Sequence, residues 1–293
     1  MKLKAVRAVG ALAVMILTVV LFVHFFSQHP EVRQTLHHLS AGLLVSLLAL
    51  YLSMMVSLAL VNDSILRLCS IHAKGTELFL LTAYTAVINF FVPLQSGPAV
   101  RAVYLKRRYD LNLKKYAVAS IVYYFFFAFY SGLFLLSGLV HWWLVPLSIV
   151  GLLLAWVIAQ QSPLKARLAS LALGDWYYLA SATLLQVCLT VLIYFIELRS
   201  VLPAVHLSQA IIYTGAANFA LFVSITPGAI GFRESFLLFS QHAHHIHSAS
   251  IVAASVIDRG VYIVLLLGLA AAVAATHTGN SLRKLQKKPE NYS

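Results

Sequence analysis

The sequence predicts an all-α polytopic membrane protein: about six transmembrane helices plus two re-entrant helical hairpins, eight apolar segments arranged as an inverted repeat. Three observations predict it. Of 293 residues, 61% are hydrophobic and 10% charged, with a mean hydropathy of +0.86, whereas a soluble domain carries roughly 25% charged residues. The apolar residues fall in runs long enough to cross a bilayer, and the basic residues cluster in the short polar patches between those runs. No stretch is long enough for a separate soluble domain of about 100 residues. The net charge of +12 therefore reads as membrane topology and contact with anionic headgroups, and no nucleic-acid partner is expected.

Residues 8–26 form the first run. Its basic start resembles a signal peptide, but no small-residue cleavage site follows in residues 24–29, so an uncleaved span is expected. Runs at 39–61, 116–140, 142–159, 176–196 and 251–276 complete six spans. Two further runs, 78–94 and 210–225, lead straight into proline and glycine and then into a second apolar piece. Of the 21 Lys and Arg residues, 17 lie in the first nine residues, in loops 62–77, 100–115 and 161–175, and in the tail from His277. Basic loops collect on the cytoplasmic side. If 78–94 crossed fully, the loop holding Arg101, Lys106, Arg107, Arg108, Lys114 and Lys115 would face outside. If it turns between Pro93 and Gly97 and returns, every basic loop stays inside. The same logic makes 210–239 a second hairpin, entered from the opposite face and turning at Pro227 and Gly228, with both termini cytoplasmic in a bacterial-type inner membrane.

The hairpins also match in sequence. Tyr84, Thr85, Asn89 and Phe90 align in register with Tyr213, Thr214, Asn218 and Phe219, and Pro93 with Gly97 parallels Pro227 with Gly231. Ordered matches over about 40 residues point to an internal repeat. One membrane domain, 1–293, is expected, with repeats at 39–140 and 176–276 and a cytoplasmic basic tail at 277–293. Inverted repeats with broken helices are a way transporters build a site with two alternating openings.

Ionisable residues in a bilayer cost roughly 2.5–3.5 kcal/mol on insertion scales, so those beside the broken helices are the candidate substrate-binding residues: Arg101, Arg233, Glu234, Asp258 and Arg259. An arginine there can hold an anionic headgroup bidentately. The competing reading pairs Arg with Glu or Asp as internal salt bridges. Asn89 and Asn218 either face substrate or satisfy backbone groups freed at the breaks. Pro93, Gly97, Pro227, Gly228 and Gly231 shape the turns. His242, His244, His245 and His247 cluster without an acidic or cysteine partner, so no metal is expected. Cys69 and Cys188 form no disulfide framework. With no nucleotide loop, nucleophile elbow, paired metal-binding carboxylates or CxxC, the sequence offers no catalytic residues, cofactor or enzymatic activity.

Asn89 to Pro93, Gly97 with Arg101, Pro227-Gly-Ala-Ile-Gly-Phe-Arg-Glu234 and Asp258-Arg259 resemble the lysylphosphatidylglycerol synthase transmembrane region, a flippase-like family, over most of the chain. Two departures stand in the first half: Gly97-Pro98 where that family commonly has Gly-Glu, and Tyr123-Tyr124 in place of a charged pair. The resemblance implies translocation of a lipid or lipid-linked substrate, without the synthase domain. The alternative it leaves is a non-transporting scaffold for a separate lipid- or polyprenyl-modifying enzyme.

Overall fold

The computed structural model describes residues 40–91, 96–137, 173–223 and 232–286. The spans expected at 8–26 and 142–159, and the turn residues Pro93, Pro227, Gly228 and Gly231, lie outside them. Among the described residues the chain is all-helical. The first four helices are α1 (Ala41–Leu68), α2 (Gly75–Phe91), α3 (Gly97–Tyr109) and α4 (Leu113–Leu136). The next five are α5 (Leu173–Val201), α6 (Leu207–Val223), α7 (Phe232–Phe239), α8 (Gln241–His244) and α9 (Ser248–Gln286). Four stretches among them are long and apolar enough to cross a membrane: Ala41–Leu68, Leu113–Leu136, Gly174–Val201 and Ser248–Ala271. They correspond to four of the six spans expected from sequence.

Helix starts follow local chemistry. The first amides of a helix lack intrahelical acceptors. Ser40 Oγ accepts from Leu43 N at 3.2 Å, and Asn112 Oδ1 accepts from Lys114 N and Lys115 N at 3.0 and 3.2 Å. Residues 100–109, expected as part of the basic loop 100–115, instead belong to helix α3. Pro98 in the first turn needs no amide partner, and Lys106, Arg107 and Arg108 oppose the negative end of the helix dipole in the last turn. The last helix also runs past the expected boundary at residue 276, unbroken to Gln286.

Helices α1 and α5 form a central antiparallel pair. Leu47, Tyr51 and Met55 share one apolar cluster with Ile193, Tyr194 and Leu198. Val61, Ile65 and Leu66 share another with Leu179 and Ala182. Each cluster receives one helical hairpin. In the first, α3 folds back on α2: Glu77, near the start of α2, accepts from Tyr104 Oη at 2.8 Å and Tyr109 Oη at 2.9 Å on α3. That hairpin packs on the Val61 cluster through Leu78, Leu81 and Leu105. In the second, Gln209 at the start of α6 donates to His244 O at the end of α8, 3.1 Å away. It packs on the Leu47 cluster through Ala210, Tyr213, Ala217 and Leu237.

The long outer helices cross between these units. Helix α4 packs on α6, and α9 on α2. Gly215 makes the first crossing close: a Cβ there would sit 2.7 Å from Ser131 O and 2.8 Å from Leu135 Cα. Small residues let backbones approach where apolar burial supplies no driving force, as between helices in lipid. Large apolar side chains such as Ile121 and Phe125 point outward, which suits a hydrocarbon environment better than water.

Candidate functional site

A cavity of about 310 Å³ opens between the α1–α5 pair and the two hairpins. On α1 its wall is Tyr51, Met54, Leu58 and Asn62. These positions recur every three or four residues, so one helix face supplies them. On α5 the wall is Gln186, Thr190, Ile193 and Tyr194. Polar groups gather in two layers, at Asn62 and Gln186 and at Tyr51 and Tyr194. Eleven residues separate Tyr51 from Asn62, which is roughly 16 Å along a helix. Met54, Leu58 and Ile193 fill the interval.

The first layer is built around Arg101 on α3. Its Nη1 donates to Asn62 Oδ1, its Nη2 to Thr85 Oγ1 at 3.1 Å, and its Nε is buried without a partner. Asn62 Nδ2 donates in turn to Thr82 Oγ1 at 2.8 Å. Tyr123 lines the cavity and donates to Gln186 Oε1 at 3.2 Å. Among the described residues every partner of Arg101 is uncharged. Gly97 brings α3 this close, since a Cβ there would meet Thr85 O at 2.8 Å and Asn89 Cβ at 3.2 Å. Asn89 Oδ1 accepts from the Gly97 amide at 3.4 Å, meeting a backbone group freed at the helix break, and Asn89 also lines the cavity.

The second layer is a chain of alternating charges. Arg259 Nη2 and Nε reach Glu234 Oε1 at 2.6 and 3.2 Å. Glu234 lies 3.7 Å from Arg233 Nε, and Arg233 Nη2 lies 2.5 Å from Asp258 Oδ2. Arg233 Nη1 donates to Tyr194 Oη at 3.2 Å, and Tyr51 Oη contacts both Asp258 Oδ1 and Glu197 Oε1. The four charges sum to zero, as buried ions require. Asp258 and Arg259, expected at the start of the last span, sit well inside α9, which begins at Ser248.

The seven candidate binding residues thus divide. Arg101, Asn89, Arg233, Asp258 and Arg259 line the cavity, and Glu234 pairs with its arginines. Asn218 is buried outside the cavity lining, its Nδ2 without a partner among the described residues. The aligned tyrosines differ too, with Tyr84 40% exposed and Tyr213 2%. His244 is a structural residue of the second hairpin. Its Nδ1 accepts from Ile246 N at 3.1 Å, so Nε2 carries the hydrogen and donates to Leu237 O at 3.0 Å. Burial pushes this imidazole below its ordinary titration range. His242, His245 and His247 are exposed.

No family model, curated protein or solved structure matches this chain. Function therefore rests on the cavity and its charges. Sequence reading overlooked Tyr51, Asn62 and Gln186, which line the cavity, and Glu197, which Tyr51 contacts beside it. Glu197 carried a usable signal, being one of only nine acidic residues in the chain and set between Ile196 and Leu198.

Proposed function

We propose that this protein translocates a lipid or lipid-linked molecule with an anionic headgroup between membrane leaflets, and that Arg101 is the headgroup's first binding residue. The observation that carries this reading is a guanidinium in a largely apolar cavity with only neutral hydrogen-bond partners among the described residues. A phosphate oxygen is a stronger partner for Arg than an amide or hydroxyl, and Met54, Leu58 and Phe127 along the same cavity suit an acyl or prenyl chain. Arg233 and Arg259 already hold carboxylates, so a headgroup reaches them only by exchange. The antiparallel placement of two helical hairpins at opposite ends of one helix pair supports an inverted repeat of 39–140 and 176–276, the architecture that gives alternating access. The basic loops support cytoplasmic termini. The resemblance of Pro227 to Glu234 to flippase-like sequences agrees with this reading.

The test is a leaflet-resolved assay in reconstituted vesicles with a fluorescent phosphatidylglycerol, phosphatidic acid or polyprenyl phosphate. Wild-type protein should accelerate transbilayer movement of at least one. Arg101→Gln should abolish that acceleration while leaving the helix content and thermal midpoint unchanged. Rates equal to protein-free vesicles for all three lipids would refute translocation and favour the scaffold reading.

A further inference from the structure

Glu197 takes no part in the four-charge chain, yet it is 1% exposed and has no cation within ion-pair distance among the described residues. A lone carboxylate in that position is far costlier than a neutral carboxyl. Its side-chain partner is Tyr51 Oη at 3.0 Å. The same hydroxyl contacts Asp258 Oδ1, and the other oxygen of Asp258 lies 2.5 Å from Arg233 Nη2.

A phenol owns one hydrogen and cannot donate to two carboxylates. The ion pair to Arg233 marks Asp258 as the ionised member, so the Tyr51 hydrogen points to Asp258. The Glu197–Tyr51 contact then needs a hydrogen of its own, and Glu197 is the group that can carry it. The other titratable or charged groups facing this centre are Tyr194 on α5 itself, Tyr213 on α6, Arg233 on α7 and, on α9, Tyr262, whose ring lies 5.4 Å from that of Tyr51. From α4, Tyr123 meets Gln186 instead. Arg199, two residues along α5, is exposed and lies over the Phe195 ring.

We propose that Glu197 is a buried proton-binding site, and that Tyr51 relays its proton to Asp258 when an anionic headgroup takes Arg233. This inference rests on the translocation reading. An anion on Arg233 displaces Asp258. The Tyr51 O–H bond breaks as its hydrogen passes to Asp258 Oδ1, and the Glu197 O–H bond breaks as that hydrogen passes to Tyr51 Oη. Glu197, now the anion, takes one proton from water. The net result is one anion and one proton bound together, with the charge of the core unchanged. A headgroup would then reach the second layer only with a proton.

Infrared spectroscopy of the protein in nanodiscs tests the site without any transport. Wild-type protein at neutral pH should show the C=O stretch of a protonated carboxylic acid, lost in Glu197→Gln and kept in Glu234→Gln. Absence of that band from wild type, or its survival in Glu197→Gln, overturns the proposal. Short-chain phosphatidic acid added in weakly buffered solution then tests the linkage. Wild-type protein should take up about one proton per lipid bound, and Tyr51→Phe, which keeps the ring and removes the relay, should bind lipid with no uptake. Binding without uptake by wild type defeats the linkage alone. Failure of wild type to bind the lipid at all defeats the linkage together with the translocation reading.

Discussion

Asp258→Asn tests whether the charge chain of the second layer acts as a unit. Asp258 and Arg233 are 11% and 10% exposed in their side chains and 2.5 Å apart. Removing one member of such a pair leaves an uncompensated buried charge, which costs about 3–5 kcal/mol. Glu234 lies 3.7 Å from the Arg233 guanidinium and offsets part of that, so the lower end, about 3 kcal/mol, is expected. Arg233→Gln alone strands Asp258 against the Tyr51 hydroxyl and should cost as much or more. In the double variant no stranded charge remains, and the Arg259–Glu234 pair is intact. Its loss should fall short of the sum of the single losses by about 2 kcal/mol, within the range found for residues in contact. Unfolding in mixed micelles, followed by ellipticity, gives all four corners of the cycle. Additive losses would mean that the two groups do not sense each other, and the neutral-chain account of the site would fail.

Gly215→Ala should destabilise by about 1–3 kcal/mol, because its new Cβ meets the backbone of α4, which cannot yield. Gly132→Ala, whose Cβ would find only Phe219 ring atoms from 3.4 Å, should change the thermal midpoint little. Cys69, with its thiol pushed up to about 11 by burial, should react slowly with a maleimide at neutral pH in a Cys188→Ala background. Its rate should climb with pH toward that value, and a rate at neutral pH matching a free thiol would contradict its burial. His244 is held below its ordinary range in the fold, so the unfolded chain binds the proton first. Stability from this residue is present above about pH 6.5 and is lost as pH falls below it. The thermal midpoint should therefore drop on acidification, and His244→Gln should flatten that part of the profile.

The apolar runs at 39–61, 116–140, 176–196 and 251–276 were legible because crossing a bilayer demands a length of apolar sequence that little else does. The hairpins were legible for a different reason. Proline and glycine interrupt runs 78–94 and 210–225, so a second helix folded back on each run was expected, while entry from opposite membrane faces rests on loop charge and remains a proposal. Arg233, Glu234, Asp258 and Arg259 stood out as charges in apolar surroundings. Their pairing did not, since the partners Arg233–Asp258 and Glu234–Arg259 each stand 25 positions apart and only the packing of α7 on α9 joins them. Tyr51, Asn62 and Gln186 were invisible for a related reason. Helices apolar on every side carry no polar stripe to mark which face turns inward. Glu197 sat just past the expected span end, where a charge ordinarily meets water. The extent of α3 was not legible because its basic last turn looked like a loop, although Gly97-Pro98 is a sound helix start.

Gly215 has a mechanical consequence. With no side chain between them, α4 and α6 are joined backbone to backbone, and across the molecule α9 grips α2. Each long outer helix is thereby fastened to the hairpin of the other half of the chain. The two halves read along the sequence are therefore interlocked, and the ion pairs of α7 with α9 fasten the second hairpin to the same outer helix that holds the first.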